Sequence, residues 1–255
     1  MQPAAPIEPP PPGSLVRGCL TFLVLVVATA ALAGWFLLPV AAGVLIADRL
    51  HDAGFSGTDT RITVIADPPL ALATLHADRV HVTSTDATFH GLLIGSVDLT
   101  VSDVRFVERT AGAVTGTLSD LRIGSGLGGD WSVASARLSG TSTDISITLD
   151  LSLEDAERMA AAAVERQLGE RPTSVTLVAP DMIRFEAGGT AAGGRLVVDD
   201  QARLVFRPGG AAGSLIGSIV LISPGPDTPI RLSSVVVRSA GITLVGRFEA
   251  SFLPS

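Results

Sequence analysis

Ile145-Ser146-Ile147-Thr148-Leu149-Asp150-Leu151 alternates apolar and polar side chains over seven residues, and a helical pattern follows it directly. Strict alternation is typical of a β-strand that buries one face, so this run predicts such a strand. Ser152 and Asp155 then have the spacing of a helix capping box, and Gly169 before Pro172 is a helix stop. The stretch therefore predicts a half-buried strand followed by a helix that ends at Gly169.

The same alternation recurs along much of the chain. Further candidate strands are 61–64, 79–82, 97–101, 117–123, 195–198, 203–206, 216–222, 232–237 and 242–244. Strands of a parallel sheet are apolar on both faces, whereas several of these have one polar face. We therefore predict an α+β protein in which an antiparallel sheet packs on two helices.

Two of these strands share a short motif. Ser102-Asp103-Val104-Arg105-Phe106 and Ser119-Asp120-Leu121-Arg122-Ile123 lie seventeen residues apart, which is the length of one hairpin. Two copies of five residues fall short of a repeat architecture. We interpret them as similar neighbouring strands.

The N-terminal part of the chain contains thirty consecutive uncharged residues, 18–47. The centre of this stretch, residues 20–38, is dense in Leu, Val, Phe and Ala. About 20 apolar residues span a bilayer as a helix, so the stretch is long enough with some tilt. We predict a transmembrane anchor at residues 18–39.

A cleaved secretory signal is the alternative interpretation of the same stretch. Arg17 would be its basic flank, and small residues at 28–30 or 31–33 would be its cleavage site. The apolar run continues past both sites to Trp35, and Trp suits the end of a membrane span, so a retained anchor is favoured. Cys19 does not fit a lipoprotein signal, because the apolar run follows it instead of preceding it.

The anchor divides the chain into three parts. Residues 1–17 are rich in Pro and predict a disordered cytoplasmic tail. Residues 40–255 form the extracytoplasmic domain, so the protein is expected in the cell membrane as a single-pass protein with its C-terminal body outside. A helix over residues 40–53 continues from the anchor, ends at Gly54 and is expected to lie along the sheet.

Charge and cysteine content restrict the function of this body. The net charge is −7, and the arginines are scattered singly among acidic residues, so no basic stripe is present to neutralise the phosphates of nucleic acid. The same pattern gives no support for electrostatic binding to anionic lipid. Cys19 is the only cysteine, so the body contains neither a disulfide nor a reactive thiol.

The search for catalytic or metal-binding motifs gives a largely negative result. Residues 124–129 match a glycine-rich dinucleotide fingerprint, but a strand pattern follows where that fingerprint requires a helix. His76 and His81 would point to opposite faces of a strand, so we expect no metal there. Asp199 and Asp200 lie between two apolar runs, where a hairpin turn explains them. We predict that the protein is not an enzyme and uses no cofactor.

Several segments together resemble a known family. They are Ile46-Ala47-Asp48-Arg49-Leu50, Asp67-Pro68-Pro69-Leu70, Gly95-Ser96-Val97-Asp98-Leu99-Thr100-Val101-Ser102-Asp103-Val104, Ile230-Arg231-Leu232-Ser233-Ser234-Val235 and Gly241-Ile242-Thr243-Leu244-Val245-Gly246. With the N-terminal anchor they resemble the LmeA-like family of actinobacterial cell-envelope proteins, from about Val40 to the end of the chain. The resemblance implies a phospholipid-binding protein whose fold is akin to tubular lipid-binding domains.

A lipid site of this kind needs apolar volume and no catalytic group. A curved sheet packed loosely on the small-residue helix would leave space for acyl chains, and each buried CH2 is worth about 0.8 kcal/mol. The candidate lining residues, chosen by strand parity and helical face, are Val97, Leu99, Val101, Ile145, Ile147, Leu149, Met159 and Ala163.

Three functional hypotheses remain open. The favoured one is a membrane protein that binds phospholipid or another acyl lipid and supports envelope assembly or lipid handling. The second is a structural or assembly protein of the envelope without bound lipid, and the third and least favoured is a hydrolase. The sequence identifies no protein partner.

Overall fold

The computed structural model describes residues 13–108, 110–123, 131–210, 216–225 and 228–249. The helices are α1 (Gly13–Asp52), a short 3-10 helix (Pro69–Thr74) and α2 (Leu153–Leu168). The strands are β1 (Phe55–Ile65), β2 (His76–Phe89), β3 (Leu92–Arg105), β4 (Thr110–Ile123), β5 (Trp131–Thr141), β6 (Asp144–Ser152), β7 (Ser174–Val178), β8 (Met182–Ala187), β9 (Thr190–Val198), β10 (Leu204–Pro208), β11 (Ile219–Ile222), β12 (Ile230–Arg238) and β13 (Gly241–Phe248).

The described strands form an eight-stranded sheet and a five-stranded sheet. The larger has the order β1-β2-β3-β4-β5-β6-β13-β12 and the smaller the order β11-β10-β9-β8-β7. All their neighbouring strands are antiparallel, so the expected α+β class with an antiparallel sheet is confirmed. The pattern at 145–151 is β6, which lies near the middle of the larger sheet.

The larger sheet is strongly curved. Phe89 on β2 stacks on Phe248 of β13 with 6.0 Å between ring centroids, although five strand spacings separate the two strands. In a flat sheet, five spacings of about 4.8 Å would place them about 24 Å apart. The sheet therefore curls until this end is almost closed.

Helix α2 fills the space between the two sheets. It contacts β5, β6 and β13 of the larger sheet and β7 and β11 of the smaller one. The Ser152 hydroxyl caps its first turn by accepting a hydrogen bond from the Asp155 N–H at 3.1 Å, and Gly169 ends it in a left-handed conformation. Both ends of the helix therefore lie where the sequence predicts them.

Helix α1 begins at Gly13, whereas the tail was expected to continue to residue 17. Residues 1–12 of that tail lie outside the described residues. The helix continues through Pro39 to Asp52, so the helix expected at residues 40–53 is its last part. Among the described residues, no helix reaches the length and apolar content that crossing a bilayer requires.

The last part of α1 packs on the start of the larger sheet. Leu38, Ala42, Ile46 and Leu50, spaced four residues apart, pack against a small buried cluster formed by β1, β2 and the 3-10 helix. The cluster contains Val64, Ala66, Leu72, Ala77, Val80 and Val82. The expectation that this helix lies along the sheet is confirmed.

The aspartate of the short motif in β3 and β4 also has a counterpart in β2, at Asp86. Asp86, Asp103 and Asp120 are seventeen residues apart, and each has a left-handed backbone with φ between 46° and 52°. Asp103 lies opposite Gly112, and Gly95 lies between Asp86 and Asp120. A Cβ on Gly95 would lie 2.9 Å from the Cβ of Asp120, so glycine allows this close approach.

These aspartates change which residues face inward. In β4 the buried residues are Val114 and Leu118 before Asp120, but Leu121 and Ile123 after it. The parity shifts because the left-handed residue rotates the chain. The core face of each strand is thereby maintained while the sheet bends.

Candidate functional site

The eight predicted lipid-lining residues do not converge on one cavity. Ile147 and Leu149 are fully buried, and Val97, Ile145 and Ala163 are buried as well. Leu99, Val101 and Met159 are partly buried. Val97, Ile147, Leu149 and Ala163 lie in the large core, Val101 packs against the small cluster at α1, and Leu99 contacts both.

The space between α2 and the sheets is filled by side chains. Ala156, Ala160, Ala163 and Val164 on the helix are all at most 2% exposed. Small side chains let the helix approach the strands closely, so they remove volume instead of leaving it. Met159 does line a cleft of about 160 Å³, together with Trp131, Leu151 and Leu221.

A more open apolar site lies beside α1. Leu38, Ala41, Ala42 and Leu45 of the helix face Leu72 and Leu75 of the 3-10 segment and Phe106 after β3 across a groove of about 190 Å³. All seven lining residues are apolar. We call this the apolar groove.

A second groove runs along the opposite flank of α1, between the helix and β1. Pro39, Val40, Gly43, Val44 and Ala47 line one side, and Thr60, Ile62, Thr63 and Val64 line the other, around about 460 Å³. This edge groove falls in the size range of small-molecule sites. A Cβ on Gly43 would lie 3.4 Å from the Ile62 carbonyl oxygen, an ordinary van der Waals distance, so the helix and the strand lie close together here.

Sequence analysis identified the helix but not these grooves. The spacing of Leu38, Ala42, Ile46 and Leu50 indicates the stripe that contacts the sheet. The apolar groove is lined by part of that stripe and by residues beside it, and the edge groove lies on its other side. The opposite wall of the apolar groove comes from Leu72, Leu75 and Phe106, which are far from α1 in sequence. Only the folded sheet brings them there.

A further cleft, of about 610 Å³, has both polar and apolar walls. Asp86, Asp120 and Asp155 line it with Arg122 and the Gly95 backbone. In the part of the chain that the structure describes, no three or more histidine, cysteine or acidic residues are grouped so as to hold a metal ion. This cleft therefore offers carboxylates without the arrangement of a metal centre.

The two histidines considered as metal ligands pair with separate aspartates. His76 Nε2 lies 3.1 Å from Asp103 Oδ1, and His81 Nε2 lies 3.0 Å from Asp98 Oδ1. Each pair joins neighbouring strands β2 and β3 on an exposed surface. The arrangement is that of cross-strand pairs.

The Asp199-Asp200 pair forms the turn between β9 and β10, as predicted. Burial raises the pKa of the Asp199 carboxyl, but hydrogen bonds from the Arg203 side chain and from the N–H groups of Arg203 and Gln201 outweigh it. The resulting pKa lies below the ordinary value of 3.8. Asp199 is thus held as a carboxylate that closes the hairpin, with Oδ2 2.8 Å from Arg203 Nε.

Comparison with known proteins identifies no relative: no family model, curated protein or solved structure matches this chain.

Proposed function

We propose that this is a membrane-anchored extracytoplasmic protein that binds the acyl chain of a phospholipid beside α1 and supports lipid handling or envelope assembly. The observation that carries the proposal is the wholly apolar lining of the apolar groove. It lies where the uncharged stretch 18–47 meets the folded body, with Leu38 and Leu45 as part of its wall. A lipid leaving the bilayer along α1 would encounter this site first.

The energetics of such binding are favourable on simple grounds. Burying about six methylene groups in an apolar groove stabilises the complex by about 5 kcal/mol before ordering costs. The edge groove on the other flank of α1 offers room for a second chain, and its helix wall is uncharged. No catalytic group is needed, and the proposal does not include an enzymatic activity or a cofactor.

The finer classification belongs to this proposal as well. A curved antiparallel sheet that wraps a helix accords with a fold akin to tubular lipid-binding domains. The resemblance of the sequence to the LmeA-like family points to phospholipid in the same way. The site proposed here differs from the one expected from strand parity, since it lies at α1 and not at α2.

A second candidate function has a specific observation in its favour. The close packing of α2, with Ala156, Ala160 and Ala163 buried, suits a structural or assembly protein whose interior holds no lipid. Under this hypothesis the grooves beside α1 would hold no chain. The two functions differ in whether lipid is bound in stoichiometric amounts.

Native mass spectrometry of the full chain, released from nanodiscs after washing with detergent, tests the proposal. The expected result is one retained phospholipid per chain. Ala41→Trp should reduce the retained fraction several-fold, because Ala41 is exposed on the groove wall and an indole would fill the groove. Ala113→Trp, at an exposed position of β4 away from the groove, should retain the lipid.

Two results would contradict the proposal. A bare chain mass for the wild-type protein would favour the structural hypothesis. Equal lipid retention in the Ala41→Trp and wild-type proteins would show that the lipid is held elsewhere.

A further inference from the structure

We propose that one end of the folded body is a bilayer-contact surface, so that the body rests in the lipid headgroup layer. This surface, the apolar rim, consists of Val40, Val44, Leu45, Ile65, Leu75 and Val107. The inference rests on the membrane anchor in the proposed function but does not require a bound lipid. The occupant is the bilayer that holds the anchor of the same chain.

The rim residues are exposed to a degree unusual for large apolar side chains. Val107 is 72% exposed, Val40 65% and Val44 58%, and the other three are between 46% and 51% exposed. Single exposed apolar residues are ordinary, but a group at one place marks an interaction surface.

The six residues come from four separate segments that meet at the same end of the larger sheet. Leu45 and Leu75 line the apolar groove together, and Leu75 and Val107 line an adjoining cleft. The Phe106 N–H donates to the Leu75 carbonyl at 3.0 Å, which holds these two segments side by side. Ile65 follows Val64, which faces Pro39 and Val40 across the edge groove.

Leu75 is held in a conformation that leucine rarely adopts. Its φ is +57°, in the left-handed region, at the end of the 3-10 helix. The Leu75 side chain is exposed, so this backbone conformation does not serve to bury the leucine in the core. Leu75 closes the 3-10 helix, since its N–H donates to the Ala71 and Leu72 carbonyl oxygens, and this cap holds its side chain at the surface.

The position of the rim along α1 determines its depth. The predicted apolar core of the anchor ends at Leu38, and Leu45 is seven residues further along the helix, or about 10 Å at 1.5 Å per residue. The headgroup layer on each side of a bilayer is about 5–8 Å thick. The first charge after the uncharged stretch, Asp48, comes one turn beyond Leu45. The rim therefore begins in the headgroup layer at Val40 and reaches just beyond that layer at Leu45, and Arg105 and Glu108 line the same cleft as Leu75 and Val107 at its border.

Single-cysteine fluorescence in liposomes tests this placement on the full chain. Cys19→Ser removes the only cysteine, and Leu75→Cys or Val107→Cys then carries an environment-sensitive NBD label. Leu93→Cys is the matched control, since Leu93 is 51% exposed but lies about 40 Å away at the other end of β3. Val26→Cys, within the predicted span, is the positive control.

We expect labels at residues 75 and 107 to show blue-shifted emission and several-fold stronger quenching by doxyl-labelled lipid than by aqueous iodide. The label at residue 93 should show the reverse preference. If labels at 75 and 107 behave like the one at 93 while the label at 26 is quenched by lipid, the bilayer contact is wrong and the anchor stands. If labels at residues 75 and 107 are protected from both quenchers, the bilayer contact is wrong, and a protein partner or a second copy of this chain covers the rim instead.

The proposed function and this inference fail in distinguishable ways. If native mass spectrometry finds no retained lipid but doxyl-labelled lipid quenches the labels at the rim, the proposed lipid binding is wrong and the docking surface stands. If iodide quenches the label at residue 26, that residue lies in water, so both the proposed anchor and the docking surface that depends on it are wrong.

Discussion

At the residue scale, Asp199 shows how a carboxylate in this chain serves structure instead of chemistry. Its Oδ1 accepts hydrogen bonds from the N–H groups of Gln201 at 3.0 Å and Arg203 at 2.9 Å, while Oδ2 pairs with the Arg203 guanidinium. Only 13% of its side chain is exposed, so these bonds are partly shielded from water. The negative charge of Asp199 therefore stabilises the β9–β10 hairpin.

Asp199→Asn should lower the free energy of unfolding by about 1–2 kcal/mol at pH 7, because the amide loses the charge-assisted bonds. Since the folded-state pKa of Asp199 is lowered, its contribution is complete above the ordinary pKa of 3.8 and is lost as pH falls through the folded-state pKa. Chemical unfolding of wild type and variant at several pH values measures this difference. Asp200→Asn, at the exposed neighbouring position, is the control and should change stability little. A difference that stays constant down to low pH would contradict the electrostatic explanation.

At the element scale, α2 shows that small residues on a helix face permit close packing as readily as a cavity. Ala163 was chosen as a lining residue, yet it is 2% exposed within the large core. Ala163→Gln should therefore lower the free energy of unfolding by at least about 3 kcal/mol, because the core must accommodate both extra volume and an unpaired amide.

Thermal unfolding of the full chain measures this effect, with Ala162→Gln as the control because Ala162 is exposed on the same helix. The control should unfold close to the wild-type temperature. A stable Ala163→Gln protein that loses lipid would reverse our conclusion and restore the site at α2.

The elements were more predictable from sequence than the site. The ends of α2 follow from Ser152, Asp155 and Gly169, whose capping chemistry is local, and the strands follow from side-chain alternation. The volume beside a helix depends instead on how closely it approaches distant strands. At α1 the helix backbone at Gly43 comes within van der Waals reach of the Ile62 carbonyl, and no local pattern encodes that contact.

The sequence pattern predicts only part of the repeated motif, because that motif also depends on a contact between neighbouring strands. Residues 86–102 and 103–119 are identical at six of seventeen positions, including the leading Asp and the Gly at 95 and 112. Alternation alone gives no reason to expect a left-handed Asp inside a strand. The structure shows that Asp103 and Asp120 each approach a glycine on the neighbouring strand, so the pair of Asp and Gly is the repeating feature and not the motif of five residues.

At the scale of the whole molecule, α1 joins the predicted anchor to the body without a flexible linker. The same helix that continues from the uncharged stretch packs Leu38, Ala42, Ile46 and Leu50 against the sheet. If residues 18–39 span a bilayer, as we propose, this attachment would fix the orientation of the body on the membrane. The grooves and the apolar rim depend on the packing of α1 on the sheet, because both are formed partly by α1.

Gly43→Leu tests whether this attachment is rigid. Leucine is a better helix former than glycine by close to 1 kcal/mol, so α1 itself should be strengthened. Its side chain would meet the Ile62 carbonyl, 3.4 Å from the position of the Cβ, and should push the helix away from β1. We expect faster hydrogen exchange of the β1 amides while the amides of β5 and β6 keep their protection. Asp48→Leu, at an exposed position of α1 that lines neither groove, is the control and should leave β1 protected. If Gly43→Leu also leaves β1 protected, the close approach at this glycine does not hold the body to its anchor, and the orientation of the rim would have to come from the lipid contact alone.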